Sequence, residues 1–186
     1  GYGLADRKEG RANTPETPFM LSSVSKMFTA VTIAKLVERK QLSFDSSLGS
    51  LLPEYPSAEA RDHVTVRHLL TMSSGIPDLF RVPEFWAEVS TIKSPVELWK
   101  YFATSPLQFR PGTRWSYSNS NFLLLGAIIE RQTGRAFTSV VEAEIFRPLG
   151  LANTRYEVGG SPKPALGYTR TPPAGARADS ARWFPA

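Results

Sequence analysis

The chain has 186 residues, with 22 lysines and arginines against 17 acidic residues, a formal net charge of +5 and no cysteine. Disulfides and thiolate metal sites are therefore excluded, and His63 and His68, close together without a carboxylate pattern around them, suggest no metal cage. Basic residues interleaved with Glu and Asp describe a solvated surface better than a nucleic-acid groove, and the longest apolar run, Phe122 to Ile129, is interrupted by Gly126 and far too short to span a membrane.

The length suffices for the core of one domain. Gly1-Tyr2-Gly3-Leu4 has the character of mid-strand sequence, which suggests that the chain is part of a longer one. Tyr2 and Leu4 predict a strand running into a polar turn around Gly10, and Thr14-Pro15-Glu16-Thr17-Pro18 predicts an extended connection. Phe19-Met20-Leu21 then leads into a helix expected from about Ser22 to Lys40. Val24, Met27, Phe28, Val31, Leu36 and Val37 supply its apolar spacing, and basic residues suit its C-terminal dipole. Leu42, Phe44, Leu48, Leu51 and Leu52 form a loose apolar stretch closed by Pro53 and Pro56.

Further along, Thr65 is a predicted N-cap for a helix over Val66 to Met72, with Gly75 as the stop and Pro77 beyond it. His68 inside this helix is expected to be structural. A short helix over Pro83 to Val89 would use Phe85 and Trp86 as core anchors. Ser94-Pro95-Val96-Glu97 has the form of a helix start, with a serine cap, proline at the first position and glutamate three after the cap; that helix should reach about Thr104 with Leu98, Trp99 and Phe102 inside. An apolar helix from about Asn121 to Gln132, capped by Gly134, and another from about Thr138 to Phe146 follow. The remainder is rich in Gly and Pro, with one strand expected near Leu166 to Thr169. Strands, then a long helical block, then extended structure argue for a sheet with helices plus a helical lobe.

Chemistry concentrates at Ser22-Ser23-Val24-Ser25-Lys26. Serine is a weak nucleophile until a neighbour takes its proton, and a lysine one helical turn away is such a neighbour if burial lowers its pKa. The helix N-terminus favours negative charge nearby. The Ser-x-x-Lys spacing also occurs at Ser90 and Lys93, where the Ser94 cap prevents the two side chains from sharing a helical face. A second element is Tyr117-Ser118-Asn119: a tyrosine able to shuttle a proton, and an asparagine with both donor and acceptor for a substrate amide. Alone, this tripeptide is better explained by a loop tyrosine packed under a helix with Asn119 as a cap.

Together, Ser-x-x-Lys and the downstream Tyr-Ser-Asn resemble the serine β-lactamase and penicillin-binding-protein family, in particular class C β-lactamases, D-alanyl-D-alanine carboxypeptidases of that type and related esterases. The resemblance extends to Phe19–Thr29 (FMLSSVSKMFT), Val64–Pro77 (VTVRHLLTMSSGIP), Pro111–Gly134 (PGTRWSYSNSNFLLLGAIIERQTG) and Ile145–Thr154 (IFRPLGLANT), in the family's order. It implies an α/β (α+β) fold of the β-lactamase/transpeptidase type, an antiparallel sheet flanked by helices plus a helical lobe. The chain would be an incomplete N-terminal part of one catalytic domain spanning residues 1–186. About 1–44 would hold the first strands and nucleophile helix, about 45–155 the helical lobe, and about 156–186 the return toward the sheet.

The implied roles are Ser23 as acylated nucleophile, Lys26 as holder of the proton network, Tyr117 as general base and Asn119 as the residue orienting the acyl substituent. The backbone N–H of Ser23 would supply half of an oxyanion hole. No metal or other cofactor is implied. The implied substrate is a small-molecule or peptide acyl compound, with esterase or peptidase activity favoured over efficient β-lactam hydrolysis. The family's third motif, a Lys/His-x-Gly segment on a strand late in the fold, is not reached by Ala186, so a C-terminal part of the domain, possibly a separate chain, is the expected partner. Relatives acting on cell-wall peptides are extracytoplasmic, which favours a periplasmic or secreted location. Met72 stands where many relatives carry histidine and is expected to be structural variation. The absence of Gly-x-Ser-x-Gly disfavours a nucleophile-elbow hydrolase; a non-catalytic binding or scaffold protein with the same fold is the alternative.

Overall fold

A computed structural model describes residues 1–88, 91, 95–156 and 163–167. The chain divides into two compact units, one built from residues 1–25 and 146–186, the other from 26–145. In the first unit, β1 (Leu4–Asp6) pairs antiparallel with β2 (Arg11–Ala12), with Leu4 opposite Ala12 and Asp6 opposite Arg11 across an irregular register. The intervening turn forms where predicted. Asp6 Oδ1 accepts from the backbone N–H groups of Lys8 and Glu9 at 2.8 and 3.0 Å, and Gly10 adopts φ +63°. Residues 163–167 run beside β1, with Leu166 N–H donating to Ala5 O at 2.8 Å, but are not strand; the rest of the strand expected there lies outside the described residues.

The segment expected to open one long helix is two elements. Ser22–Ser25 is a turn of 3-10 helix, and the α-helix proper, α1, covers Lys26–Glu38. It ends two residues before Lys40. Lys40 takes the left-handed conformation (φ 57°), with Lys40 N–H on Val37 O and Gln41 N–H on Leu36 O at 2.9 Å each. That is a Schellman cap made without glycine. The buried side of α1 only partly matches the predicted one: Leu36 is inside as expected, with Thr29, Thr32 and Ile33, while Met27 and Val31 are exposed. Thr32 can face the core because its hydroxyl donates to Phe28 O at 2.8 Å, leaving only its methyl to pack.

The second unit is organised around α6 (Asn119–Thr133). Leu124, Leu125, Ile128 and Ile129 are fully buried on it, and α1, α4 (Val66–Leu70) and α7 (Phe137–Val141) pack against it. Burying each such side chain contributes about 1.5–3 kcal/mol. Gly134 closes α6 in the left-handed conformation, as predicted. The loose leucine stretch contains one unforeseen short helix, α2 (Leu48–Leu51), and a second, α3 (Ala58–His63), follows Pro56; each is capped by a serine, Ser47 and Ser57. α5 covers Pro83–Glu88; Phe85 is buried in it, but Trp86 is half exposed and donates its indole N–H to Phe80 O. Pro95–Tyr101 is 3-10 rather than α-helix, with Leu98, Trp99 and Phe102 buried as expected. Ser90, Lys93 and the predicted Ser94 cap lie outside the described residues. After α7 one wide π-type turn, Glu142–Phe146, completes the helix before Pro148.

His68 is structural. Thr65 and His68 form a reciprocal cap, the Thr65 hydroxyl accepting from His68 N–H at 3.3 Å and His68 Nδ1 accepting from Thr65 N–H at 3.2 Å. Among the described residues no helix is long and apolar enough to cross a membrane.

Two consequences are measurable. Replacing Lys40 by glycine removes a left-handed L-residue and should raise stability by ~0.5–1 kcal/mol, seen as a higher denaturant midpoint; a lower midpoint would contradict the strain. Burial lowers the His68 pKa from its ordinary value, the Arg67 charge adding to the effect while a backbone contact at His63 and the Asp45 charge oppose it. The folded pKa lies below the unfolded one, so this contribution is present above about pH 6.5 and lost as pH falls through the folded value. Melting temperature should therefore drop between about pH 7 and 5 more steeply in the wild type than in His68→Gln, which keeps an acceptor for the cap.

Candidate active site

Two loops of the second unit are sewn together below the N-terminus of α6. Gln108 N–H donates to Gly75 O, Gly112 N–H to Ser73 O and Ser116 N–H to Met72 O, at 2.8, 2.8 and 2.9 Å. Gly75 cannot be replaced without distortion: it sits at φ +80°, and an added Cβ would lie 2.3 Å from Phe109 O. Met72 is buried with φ 58°, its sulfur accepting from Asn121 Nδ2 at 3.4 Å, so it serves packing here. The Asn121 amide oxygen accepts from the Ser74 hydroxyl at 2.6 Å, and Ser74 Oγ accepts from Ile76 N–H at 3.0 Å. The run 115–117 thereby arrives at α6 in a defined position, with the Tyr117 side chain about one-third exposed.

Three of the predicted site residues meet there. Lys26, the first residue of α1, donates from Nζ to Asn119 Oδ1 at 2.9 Å, and the same ammonium lies 5.2 Å from the Tyr117 ring centroid and 5.7 Å from that of Phe122. These are cation–π distances, suited to holding a cation against aromatic faces. Asn119 begins α6. Its N-cap, Ser118, makes no side-chain capping bond; the carboxylate of Asp78 supplies one instead, Oδ1 accepting from Asn119 N–H at 3.0 Å. The Asn119 amide nitrogen also faces Asp78, at 3.2 Å from Oδ1 and 3.3 Å from Oδ2. Asp78 caps its own 3-10 turn (Leu79–Arg81) as well, through Phe80 N–H at 3.3 Å. A negative charge at two helical N-termini is favourable placement.

Sequence reasoning missed Asp78. The available signal was an aspartate directly after Pro77, at the start of a helical turn. Its position is secured by Ser120, which is fully buried: its hydroxyl donates to Pro77 O at 2.7 Å and accepts from Leu79 N–H at 3.0 Å, bracketing Asp78 on both sides.

Ser23 belongs to the first unit and is separated from Lys26 along the chain by Val24 and Ser25. It is exposed in the 3-10 turn. The turn is held by Val24 N–H on Leu21 O at 3.0 Å and by the Ser25 hydroxyl on Ser22 O at 2.7 Å. Ser22, immediately before it, adopts φ 46°, an uncommon conformation for a residue with a Cβ. Among the described residues no group of three or more His, Asp or Glu side chains is placed to hold a metal ion.

The beta-lactamase family profile matches residues 1–186, and the chain belongs to that family. It is 34% identical to "Esterase EstB" of Burkholderia gladioli over 80% of this chain and 41% of the esterase. It is 30% identical to a "D-aminopeptidase" of Gluconobacter oxydans over 95% of this chain and 34% of that protein. Among solved structures, the penicillin binding protein from Bacillus halodurans superposes with a TM-score of 0.78 at 36% identity, covering 89% of this chain and 51% of that one. The fold is thus of the β-lactamase/transpeptidase type, and the chain spans 34–41% of the length of these two curated relatives.

Ser120→Ala strands a buried N–H and a buried carbonyl at once. It should lower unfolding free energy by ~2–3 kcal/mol in urea titrations; a loss below about 0.5 kcal/mol would show that the bracket around Asp78 carries little.

Proposed function

We propose that the protein is a serine hydrolase that works through an acyl-enzyme on small ester or amide substrates, as an esterase or a D-amino-acid peptidase, with β-lactams as poorer substrates. The observation that carries this reading is the Lys26 ammonium held by the Asn119 amide against the Tyr117 ring. The lysine follows Ser23 by three residues along the chain, at the Ser-x-x-Lys spacing. The names of the relatives, an esterase, a D-aminopeptidase and a penicillin binding protein, support acyl chemistry with variable leaving groups.

In this reading Ser23 Oγ attacks the substrate carbonyl carbon and gives up its proton to Tyr117, with Lys26 holding the charge balance of the phenol and the serine. The Ser23 backbone N–H supports the oxyanion. Collapse breaks the bond to the leaving group, which takes the proton back from Tyr117. Water, deprotonated by the same tyrosine, then attacks the ester, and Ser23 is regenerated with its proton. Asn119 orients the acyl substituent. The relatives are longer than this chain, so we assign the second oxyanion donor and a third motif to sequence beyond these 186 residues, on the same polypeptide or a separate one.

Intact mass spectrometry of the full-length protein after fluorophosphonate treatment tests the reading. One adduct should form, map to Ser23 and vanish in Ser23→Ala. Tyr117→Phe should slow its formation by about 100-fold or more, the usual contribution of a positioned proton acceptor. A folded, complete protein that takes no adduct would instead be a binding or scaffold protein on a hydrolase fold.

A further inference from the structure

We propose that Asp78 is a positioning residue for the hydrolytic reaction: it fixes the orientation of the Asn119 side-chain amide, and through it the Lys26 ammonium. This rests on the hydrolase reading above. The two ends of an asparagine amide are nearly isosteric, so which end points where is decided by its partners. Here the partners have fixed and opposite character. The Lys26 ammonium can only donate and sits 2.9 Å from Oδ1; an ionised Asp78 can only accept and sits 3.2 and 3.3 Å from Nδ2. Flipping the amide would turn its oxygen toward the carboxylate and its NH2 toward the ammonium, replacing attraction by repulsion at both ends.

Asp78 is built to hold that orientation. Its Oδ1 accepts from the Asn119 backbone N–H as well, so main chain and side chain of the same residue are clamped by one carboxylate. The carboxylate is in turn immobilised by Phe80 N–H and by the Ser120 bracket on Pro77 and Leu79. Ammonium, amide and carboxylate form a line in which each bond polarises the next, a setting in which hydrogen bonds strengthen one another. Removing the carboxylate charge leaves the amide free to sample both orientations, and in one of them it repels Lys26.

Asp78→Asn is the informative variant, because a carboxamide keeps the volume and a carbonyl oxygen for Phe80 and Asn119 N–H but loses the charge and one acceptor. In the full-length protein it should lower kcat/KM for ester hydrolysis, and the fluorophosphonate labelling rate, by about 10- to 100-fold, the range for a hydrogen bond to a charged group. Thermal stability should change little. In an Asn119→Ala background the same substitution should cause almost no further loss, because Asp78 acts through that amide. Losses that multiply in the double variant, or that follow the melting temperature, would overturn the proposal and leave Asp78 a helix cap.

A second measurement needs no activity. In 15N-labelled protein the Asn119 side-chain NH2 resonances, identified by their absence in Asn119→Ala, should shift and exchange faster in Asp78→Asn. Unmoved resonances overturn the positioning role even if the wild type labels at Ser23. Moved resonances in a wild type that takes no label would sink the hydrolase reading while leaving the clamp itself in place.

Discussion

The polar contacts at the start of α6 depend on one amide group. Asn119 lies 93 residues after Lys26 and 41 after Asp78, and its side chain joins them. An ammonium and a carboxylate each constrain a neighbouring dipole, and an amide between them has one low-energy orientation. The contact also joins α1 to α6 at their first turns. Helix packing sets the approach of α1 and α6; the polar line sets which side chains face each other where they begin.

That arrangement needs loops that do not move, and they are made rigid by backbone bonds in place of side-chain bulk. Met72, Ser73 and Gly75 each offer a carbonyl to the segment 108–116. Two backbones can approach that closely at Gly75 because it has no Cβ, and its positive φ removes the remaining steric choice. Ser74, Ser120 and Asn121 are buried polar side chains, and each bonds a group of those loops. A buried hydroxyl that both donates and accepts, as Ser120 does, locks two chain segments where an alanine would leave both unpaired. Tyr117 inherits its position from this stitching, since Ser116 N–H is one of the stitches.

Much of this was legible along the chain because it is local. Gly134 as the stop of α6, Thr65 as a cap and proline as a terminator are statements about a few neighbouring residues, and the structure agrees with them. Lys26, Tyr117 and Asn119 were visible as motifs with chemical meaning, and the fold brings those three together. Asp78 was not, because its carboxylate caps a helix that begins 41 residues later, a relation no spacing rule contains. α2 and α3 escaped for a different reason: helices of four and six residues have no periodicity to read, only the serine caps that precede them. On α1 hydropathy placed Leu36 correctly but misjudged its neighbours. Thr29 and Thr32 face inward, the Thr32 hydroxyl satisfied by its own helix, and Met27 and Val31 face outward, so side-chain polarity misjudged burial. Trp86 misled similarly, since an indole N–H bonded to Phe80 O lets half of a large aromatic remain at the surface.

The choice of an amide between Lys26 and Asp78 has a physical logic. A lysine in direct contact with a carboxylate is bound by a charge–charge term, which favours its charged form and its fixed position. An amide oxygen offers a dipole: strong enough at 2.9 Å to orient the ammonium, and directional, yet without a full opposite charge. The faces of Tyr117 and Phe122 complete the surroundings with further electrostatic attraction. The carboxylate is present one step away, where it sets the polarity of the amide without claiming the ammonium. Orientation by a dipole backed by a more distant charge fixes the direction of the Lys26 ammonium without a direct ion pair.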